Sequence, residues 1–218
     1  RQMVGETADY EKLGGARMHC TTSGLGDLLV ATEATAFERA RNFLSLLPQN
    51  FRAPLPQIAA VPPAAPLGVG LIPEDPDRTF DIHPLLQALV DGDSMFEIKE
   101  LYAAEVVTAL ARIEGRVVGL VANNSRQKGG ILFPETCAKM CQFVSLCNAF
   151  SIPLVFLADT PGFMIGSAAE RSGIIRAAGH LFSTLANCRV AKLCVAVRKA
   201  HTAGLYAMNG PGFDPAEF

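Results

Sequence analysis

The 218-residue sequence has no tryptophan and only three tyrosines, so it offers no aromatic platform on which nucleic-acid bases could stack. It also lacks an excess of charge of one sign. The formal net charge is -2 at pH 7, which provides no basic field for nucleic acid or an anionic membrane. No apolar run approaches the roughly 18 residues of a membrane span. Residues 1–6 have no signal-peptide core. We therefore expect neither a nucleic-acid nor a membrane partner.

Familiar catalytic signatures are missing as well. The sequence contains no G-x-S-x-G, no P-loop and no H-E-x-x-H. Its six cysteines include no C-x-x-C pair, which argues against a zinc knuckle or a redox motif. Cys137 and Cys141 have a helical i,i+4 spacing that could hold a metal, but we interpret them as small apolar residues and predict no metal site. Unpaired cysteines fit a reducing compartment, either the cytoplasm or an organelle matrix.

Proline is concentrated in one segment. Eight of the 14 prolines fall between Pro48 and Pro76. Such a density excludes helix and central strand, so residues 48–78 are predicted to form an extended linker. This linker would separate residues 1–47 from residues 79–218. Because the chain begins with Arg1 and stops without a finished domain, we expect it to be a fragment of something longer.

Apolar periodicity predicts alternating helices and strands beyond the linker. Helices are expected at 31–47, 84–90, 134–150, 167–186 and 203–208, with Asp81 capping the second. Strands are expected at 106–112 and 116–122, paired as a hairpin, and at 153–158 and 190–197. Since the later strands are apolar on both faces, the pattern favours an α/β fold with a mostly parallel sheet covered by helices.

The loop after strand 153–158 is the first candidate site, because sites in α/β folds gather at the carboxyl ends of strands. It runs from Asp159 to Gly166, and two glycines and a proline form a tight turn that brings backbone N–H groups close to a ligand. The alternative is an ordinary turn in which Asp159 makes a local side-chain bond.

The loop after strand 190–197 is the second candidate. Ala203 and Gly204 come where a helix should begin, and free N–H groups at a helix N-terminus bind anionic oxygen. Arg198 and Lys199 are expected to add positive charge. The alternative is close helix–strand packing that needs small residues. His201 is a weaker candidate for a general base, and residues 123–130 are interpreted as a solvated polar loop.

Several segments, in this order, resemble the carboxyltransferase (β) subunits of biotin-dependent acyl-CoA carboxylases. They are 115–123, Gly130-Ile131-Leu132-Phe133, 152–156, Asp159-Thr160-Pro161-Gly162-Phe163, Gly173-Ile174-Ile175-Arg176 and Ala203-Gly204. The opening, Gly14-Gly15-Ala16 with His19 and Ser23-Gly24, resembles the end of that family's first domain. The resemblance implies an incomplete crotonase-like (ClpP/crotonase) spiral fold. Residues 1–47 would end its N-terminal domain, 48–78 would link, and 79–218 would begin its C-terminal domain.

The same resemblance implies a chemistry and its residues. A carboxyl group would pass from carboxybiotin, on a separate carrier domain, to an acyl-CoA. The backbone N–H groups of Ala203 and Gly204 would form the catalytic oxyanion hole. The cofactor would be bound by Thr160, Pro161, Gly162, Phe163, Gly166 and Thr202, and the substrate pocket would be lined by Ile174, Leu205 and Tyr206.

Partners follow from the resemblance too: a biotin carboxylase or biotin carboxyl carrier subunit, and further copies of the chain in a hexamer. The segments 130–135 and 203–208 favour a methylcrotonyl- or geranyl-like substrate. The location would be the cytoplasm, or the mitochondrial matrix in a eukaryote. Alternatives are a glutaconyl-CoA-type decarboxylase subunit, a non-catalytic assembly fragment, and a hydratase or isomerase of the wider crotonase superfamily.

Overall fold

The chain folds into helices followed by a mixture of strands and helices in a computed structural model that describes residues 9–50, 52–68 and 70–210. The helices are α1 (Tyr10–Gly14), α2 (Ala16–Met18), α3 (Glu33–Ser45), α4 (His83–Leu89), α5 (Pro134–Ala149), α6 (Ser167–Arg171), α7 (Ile174–Asn187) and α8 (Thr202–Ala207). The strands are β1 (Phe96–Ile98), β2 (Val106–Ile113), β3 (Arg116–Asn123), β4 (Leu154–Thr160) and β5 (Lys192–Ala200). A π-helical turn covers His19–Ser23, and a 3₁₀ turn covers Lys128–Gly130.

The five strands form one mixed sheet in the order β1-β2-β3-β4-β5. The predicted hairpin of β2 and β3 is confirmed, and Glu114 and Gly115 at its turn both have positive φ, as a two-residue type I′ turn requires. Antiparallel pairing joins β1 to β2 and β2 to β3, whereas β3, β4 and β5 are parallel. Two of the four strand pairs are thus antiparallel, so the sheet is not mostly parallel as predicted. The difference comes from the short β1, which was not predicted and adds a second antiparallel pair to the predicted hairpin.

Helices cover both faces of the sheet, which explains why its strands are apolar on both sides. On one face α5 and α7 pack together over Val106, Leu110 and Val121. On the other face α4 packs over Val107 and Leu120. Among the described residues, no helix has the length and apolar character needed to cross a bilayer.

The proline-rich segment is fastened to the β2–β3 turn rather than free. Its described part contains no helix or strand, as predicted, but Gln57 makes an isolated antiparallel bridge with Arg116. The buried guanidinium of Arg112 donates to the carbonyls of Ser45 at 2.9 Å and Pro56 at 3.0 Å. These bonds attach both the end of α3 and the proline-rich segment to the sheet, so the segment has a fixed path where it leaves α3.

Two predicted elements differ from the structure. The helix predicted over 167–186 is broken after Arg171, because Gly173 adopts a left-handed φ of 84° and begins a new helix, α7. Strand β5 runs to Ala200, so the predicted loop from Arg198 is shorter than expected. Asp81 lies one residue before the N-cap residue of α4, Ile82, but its carboxylate accepts the N–H of His83, the first residue of the helix, at 3.1 Å.

Some predictions lie outside the described residues. These are the missing signal-peptide core of residues 1–6 and the outer ends of the ranges 1–47 and 79–218. The division of the chain at 47 and 79 stays a prediction.

Candidate active site

The two predicted loops meet at the carboxyl ends of β4 and β5. These strands are parallel neighbours, and their last paired residues are Thr160 and Ala200. A Cβ atom added to Gly204 would lie 2.7 Å from the Cα of Gly162 and 3.2 Å from the Cγ2 of Thr160. Real Cβ atoms do not approach backbone so closely, so position 204 requires glycine. The start of α8 therefore lies in backbone contact with the turn after β4.

The turn from Thr160 to Phe163 is held by its own bonds and by a neighbouring segment. Gly162 has a φ of 120° and donates its N–H to the Thr160 hydroxyl at 3.1 Å. Its carbonyl accepts the N–H of Leu132 at 3.0 Å, beside a parallel bridge between Leu132 and Phe163. The Phe163 ring packs edge-on against Phe182 of α7. Contacts on both sides thus fix the turn against which α8 rests.

The backbone at the start of α8 offers an unengaged donor. Ala203 is exposed, and its N–H donates to no acceptor among residues 9–50, 52–68 and 70–210. The N–H of Gly204 donates to the carbonyl of His201 at 3.0 Å. Between them Thr202 has a φ of 47°, a left-handed conformation that is unusual for a β-branched residue. The exposed N–H of Ala203 can bind an anionic oxygen, whereas that of Gly204 is already in use.

Arg198 does not have the predicted role, and Asp159 does not make the local bond that the alternative interpretation of its loop required. Arg198 does not supply a free positive charge, because its Nη2 binds the Oδ2 of Asp159 at 2.8 Å and both side chains are buried. Asp159 makes this long-range pair instead of a local bond. Lys199 is directed elsewhere, with its Nζ 3.3 Å from the Oδ1 of Asp77. Burial explains the pairing, since an isolated charge in the protein interior is costly.

The loop after β3 is solvated only in part, since residues 126–128 are exposed as predicted but its first residues are not. Asn123, Asn124 and Ser125 are buried, and Asn123 accepts the N–H of Asp159 at 3.1 Å. The Ser125 hydroxyl lies 3.2 Å from Nη2 of Arg198. The signal that could have found this loop is topological: β3 and β4 are parallel neighbours, so their carboxyl ends share one edge of the sheet.

The remaining predicted site residues have different environments. Gly166 is exposed, with open space where a Cβ would be. Ile174 is buried at the start of α7, and Leu205 packs against the main core. Tyr206 is 45% exposed, and His201 is exposed. Because α7 packs against α8, Ile174 lies on a helix adjacent to that of Leu205 and Tyr206. That these three side chains line a shared substrate pocket stays a prediction.

The cysteines are free thiols in the protein interior. Burial raises the pKa of Cys137 to about 12, which keeps the thiol protonated and unsuited to bind a metal without a large cost. Within the described residues, no group of three or more His, Cys, Asp or Glu side chains is arranged to hold a metal ion.

A separate cavity of about 450 Å³ lies between α3 and the sheet, away from the turn at Thr160. Phe43, Phe96 and Phe143 contribute to its walls. Burial lowers the pKa of Lys139 in its wall to about 8, yet the Lys139 ammonium already donates to the carbonyl of Tyr102 at 2.9 Å. Because that ammonium is already hydrogen-bonded, we do not take the cavity as the candidate active site. The candidate active site is the one at the ends of β4 and β5.

Comparison with known proteins identifies similar chains. The profile of the Carboxyl transferase domain family matches residues 1–217. An uncharacterized carboxylase, YngE of Bacillus subtilis, is 48% identical over 98% of this chain and 42% of its own length. The mitochondrial methylcrotonoyl-CoA carboxylase beta chain of Dictyostelium discoideum is 36% identical over 97% of this chain and 36% of its own. The chain therefore spans about two fifths of the length of these relatives.

Solved structures agree. Transcarboxylase 12S with bound methylmalonyl-coenzyme A matches with a TM-score of 0.90 at 33% identity, over 95% of this chain and 41% of that one. The beta subunit of P. aeruginosa geranyl-CoA carboxylase matches with a TM-score of 0.67 at 34% identity, over 97% of this chain and 40% of that one. The α/β, crotonase-like fold class is confirmed by these matches.

Proposed function

We propose, since this chain belongs to the carboxyl transferase domain family, that it is part of an enzyme that moves a carboxyl group from carboxybiotin to an acyl-CoA. The relatives whose names carry an activity are carboxylase subunits, and this chain covers only 36% to 42% of the curated ones described above. We assign it the carboxybiotin side of the reaction, and the support is the exposed backbone donor of Ala203 at the ends of β4 and β5.

The observation that carries this proposal is the contact between the turn at Gly162 and the start of α8. It holds the exposed N–H of Ala203 at the carboxyl edge of the sheet. Carboxyl transfer builds negative charge on an oxygen, and a fixed backbone donor stabilises that charge by about 3 kcal/mol. The reaction needs no side-chain nucleophile, which fits a site made of Ala, Gly and Thr.

Gly204 is proposed as the second donor. In the structure its N–H is bonded to the His201 carbonyl, so it must exchange this acceptor for the ligand. A negatively charged oxygen accepts a stronger hydrogen bond than a neutral carbonyl, which favours the exchange. The backbone contact with Gly162 would keep Gly204 in place meanwhile.

The residues present fit a biotin group. When bound, biotin would supply the carboxyl group and the ureido oxygen that becomes negative as this group leaves. Ala203 projects only a methyl group and Gly204 no side chain, so neither blocks a planar ring from the donors. Thr202 would contact the group from the exposed start of α8, and Thr160, Pro161, Gly162, Phe163 and Gly166 would support it from the turn.

Further copies of the chain and a biotin carrier are the proposed partners. Ile165 and Ile175 beside the site are 82% and 70% exposed, and Tyr206 is 45% exposed. Apolar side chains so exposed around a site are typical of a surface that another chain covers. The transcarboxylase 12S structure is described as a hexamer. We propose that a second copy brings the acyl-CoA site to these residues, in the cytoplasm or the mitochondrial matrix.

A methylcrotonyl- or geranyl-like acyl group is the proposed substrate. The bulky Leu205 and Tyr206 beside the donors support this choice, and it does not rest on sequence identity, which differs by only a few per cent among the named relatives and structures.

The test uses the intact protein with its biotin carrier and biotin carboxylase. Labelled bicarbonate and ATP are supplied, and acetyl-, propionyl-, methylcrotonyl- and geranyl-CoA are offered in turn. Label on an acyl-CoA, with methylcrotonyl- or geranyl-CoA preferred, is the expected result, and carrier without biotin is the control. A carboxylated carrier that labels none of them would refute carboxylation and favour a decarboxylase or an assembly role.

A further inference from the structure

We propose that the buried ion pair of Asp159 and Arg198 is a positioning pair, which sets the Ala203–Gly204 donors against the turn at 160–163. This inference rests on the proposed function for its consequence in catalysis. The claim that the pair positions the donors rests on a bulge in β5 and on the contacts of the Arg198 guanidinium.

The bulge lies where β4 and β5 approach the site. Ala158 pairs with Ala196, and the next pair is Thr160 with Ala200. One residue of β4, Asp159, therefore lies opposite the three residues 197–199 of β5. Bulges of this kind redirect a side chain beside an active site, and here the redirected side chain is that of Arg198.

The ion pair holds the bulge in place. Arg198 Nη2 lies 2.8 Å from Oδ2 of Asp159, and its Nε lies 3.3 Å from Oδ1. The same Oδ1 accepts the backbone N–H of Lys199 at 3.3 Å. A bidentate ion pair of this type fixes both the distance and the relative orientation of the two side chains. The Asp159 carboxylate thus binds the bulge at two points, the guanidinium of Arg198 and the backbone N–H of Lys199.

Further contacts make arginine necessary at position 198. Its Nη1 donates to the carbonyls of Arg78 at 2.7 Å and Asp75 at 3.2 Å. Its guanidinium also stacks over the ring of Phe80, 4.5 Å from the centroid. A lysine could keep the charge but would lose the fork and the planar stacking. The end of the proline-rich segment is therefore attached to the bulge through the same side chain.

The position of the donors depends on this arrangement. Only one residue separates Thr160 from Gly162, and only three separate Ala200 from Gly204. If the bulge moved along β5, Ala200 would leave Thr160, and the 2.7 Å fit between Gly204 and Gly162 would be lost. Displacements of about 1 Å in a catalytic group can cost about 100-fold in rate.

Arg198→Lys and Asp159→Asn in the intact protein test the pair. We expect kcat for carboxyl transfer to fall by about 10- to 100-fold, while KM for the acyl-CoA changes less than about twofold, because uniform substrate binding is untouched. The double variant Asp159→Asn/Arg198→Gln should be no worse than the single variant Arg198→Gln, which is measured beside it, since partners that act through each other are not additive. Asp77→Asn, which removes the exposed pair of the adjacent Lys199, is the matched control with unchanged kinetics.

Hydrogen exchange gives a readout that does not need activity. In Arg198→Lys, the hydrogen-bonded amides of Gly204 and Met208 should exchange faster, while those of β2 and β3 keep their protection. This result supports the pair even if the wild-type protein carboxylates no acyl-CoA, in which case only the proposed function fails. Unchanged exchange at Gly204 and Met208 in folded protein, or a wild-type kcat in both single variants, would overturn the inference. The neutral double variant leaves no buried charge unpaired, so it keeps the test available if a single variant does not fold.

Discussion

Replacement of Gly204 by alanine tests the contact on which the candidate site depends. The added methyl carbon would lie 2.7 Å from the Cα of Gly162 and 3.2 Å from its nitrogen, so backbone must move. Overpacking of this kind costs about 1–3 kcal/mol. Because the same movement displaces the donors of Ala203 and Gly204, we expect carboxyl transfer to fall by about 100-fold. Gly204→Val should abolish it.

Urea unfolding and transfer of labelled carboxyl to acyl-CoA measure the two effects in the intact protein. Gly179→Ala is the matched control, because Gly179 lies within α7 with open space at its Cβ position. Alanine there should be neutral or stabilise by roughly 0.5–1 kcal/mol, the usual gain over glycine in a helix. If Gly204→Ala matched the control in stability and transferred carboxyl at the wild-type rate, the argument from the Gly162–Gly204 contact would be refuted.

Three further predictions concern stability and reactivity. Hydrogen bonds to Glu97 and Asp81 raise the pKa of His83 from 6.5 to about 9, so the stabilisation of the fold by protonated His83 is complete below pH 6.5 and lost as the pH rises through 9. The difference in unfolding free energy between wild type and His83→Gln should therefore shrink by roughly 2 kcal/mol across that window. A difference independent of pH would contradict this prediction. Arg112→Met should cost about 1–3 kcal/mol and expose residues 48–60 to limited proteolysis, and an unchanged digest would show that other contacts fasten the segment. With its pKa raised to about 12, Cys137 should resist maleimide at pH 8 until urea is added, so rapid native labelling would disprove its burial.

Elements with local signals were predicted correctly from the sequence. The β2–β3 hairpin was predicted because Glu114-Gly115 separates two apolar runs, and α5 because Pro134 opens a long helical pattern. In each case the residues that determine the element are neighbours in sequence. Propensity and periodicity are therefore sufficient.

Features that depend on partners far along the chain were not predicted. Nothing local to Asp159 indicates that it binds a residue 39 positions away, or that β5 carries a bulge to make this possible. Asn124 and Ser125 look solvent-exposed in sequence, because polar residues in a loop usually are. Their polar groups find distant partners instead of water: Ser125 bonds to Phe80 and Arg198, and Asn124 donates to Glu105 and Asp81.

The candidate site itself contradicts local rules, and this limits what composition and spacing can show. Thr202 is a β-branched residue with a φ of 47°, a conformation that propensity would assign to glycine. Such strain persists only where surrounding contacts impose it, and here the Gly162–Gly204 contact on one side and the fixed end of β5 on the other do so. Local consistency is expected to fail at functional positions for this reason. The predicted helix start indicated Ala203 and Gly204, whereas only the family resemblance selected Thr202, because a family motif preserves residues that long-range contacts require.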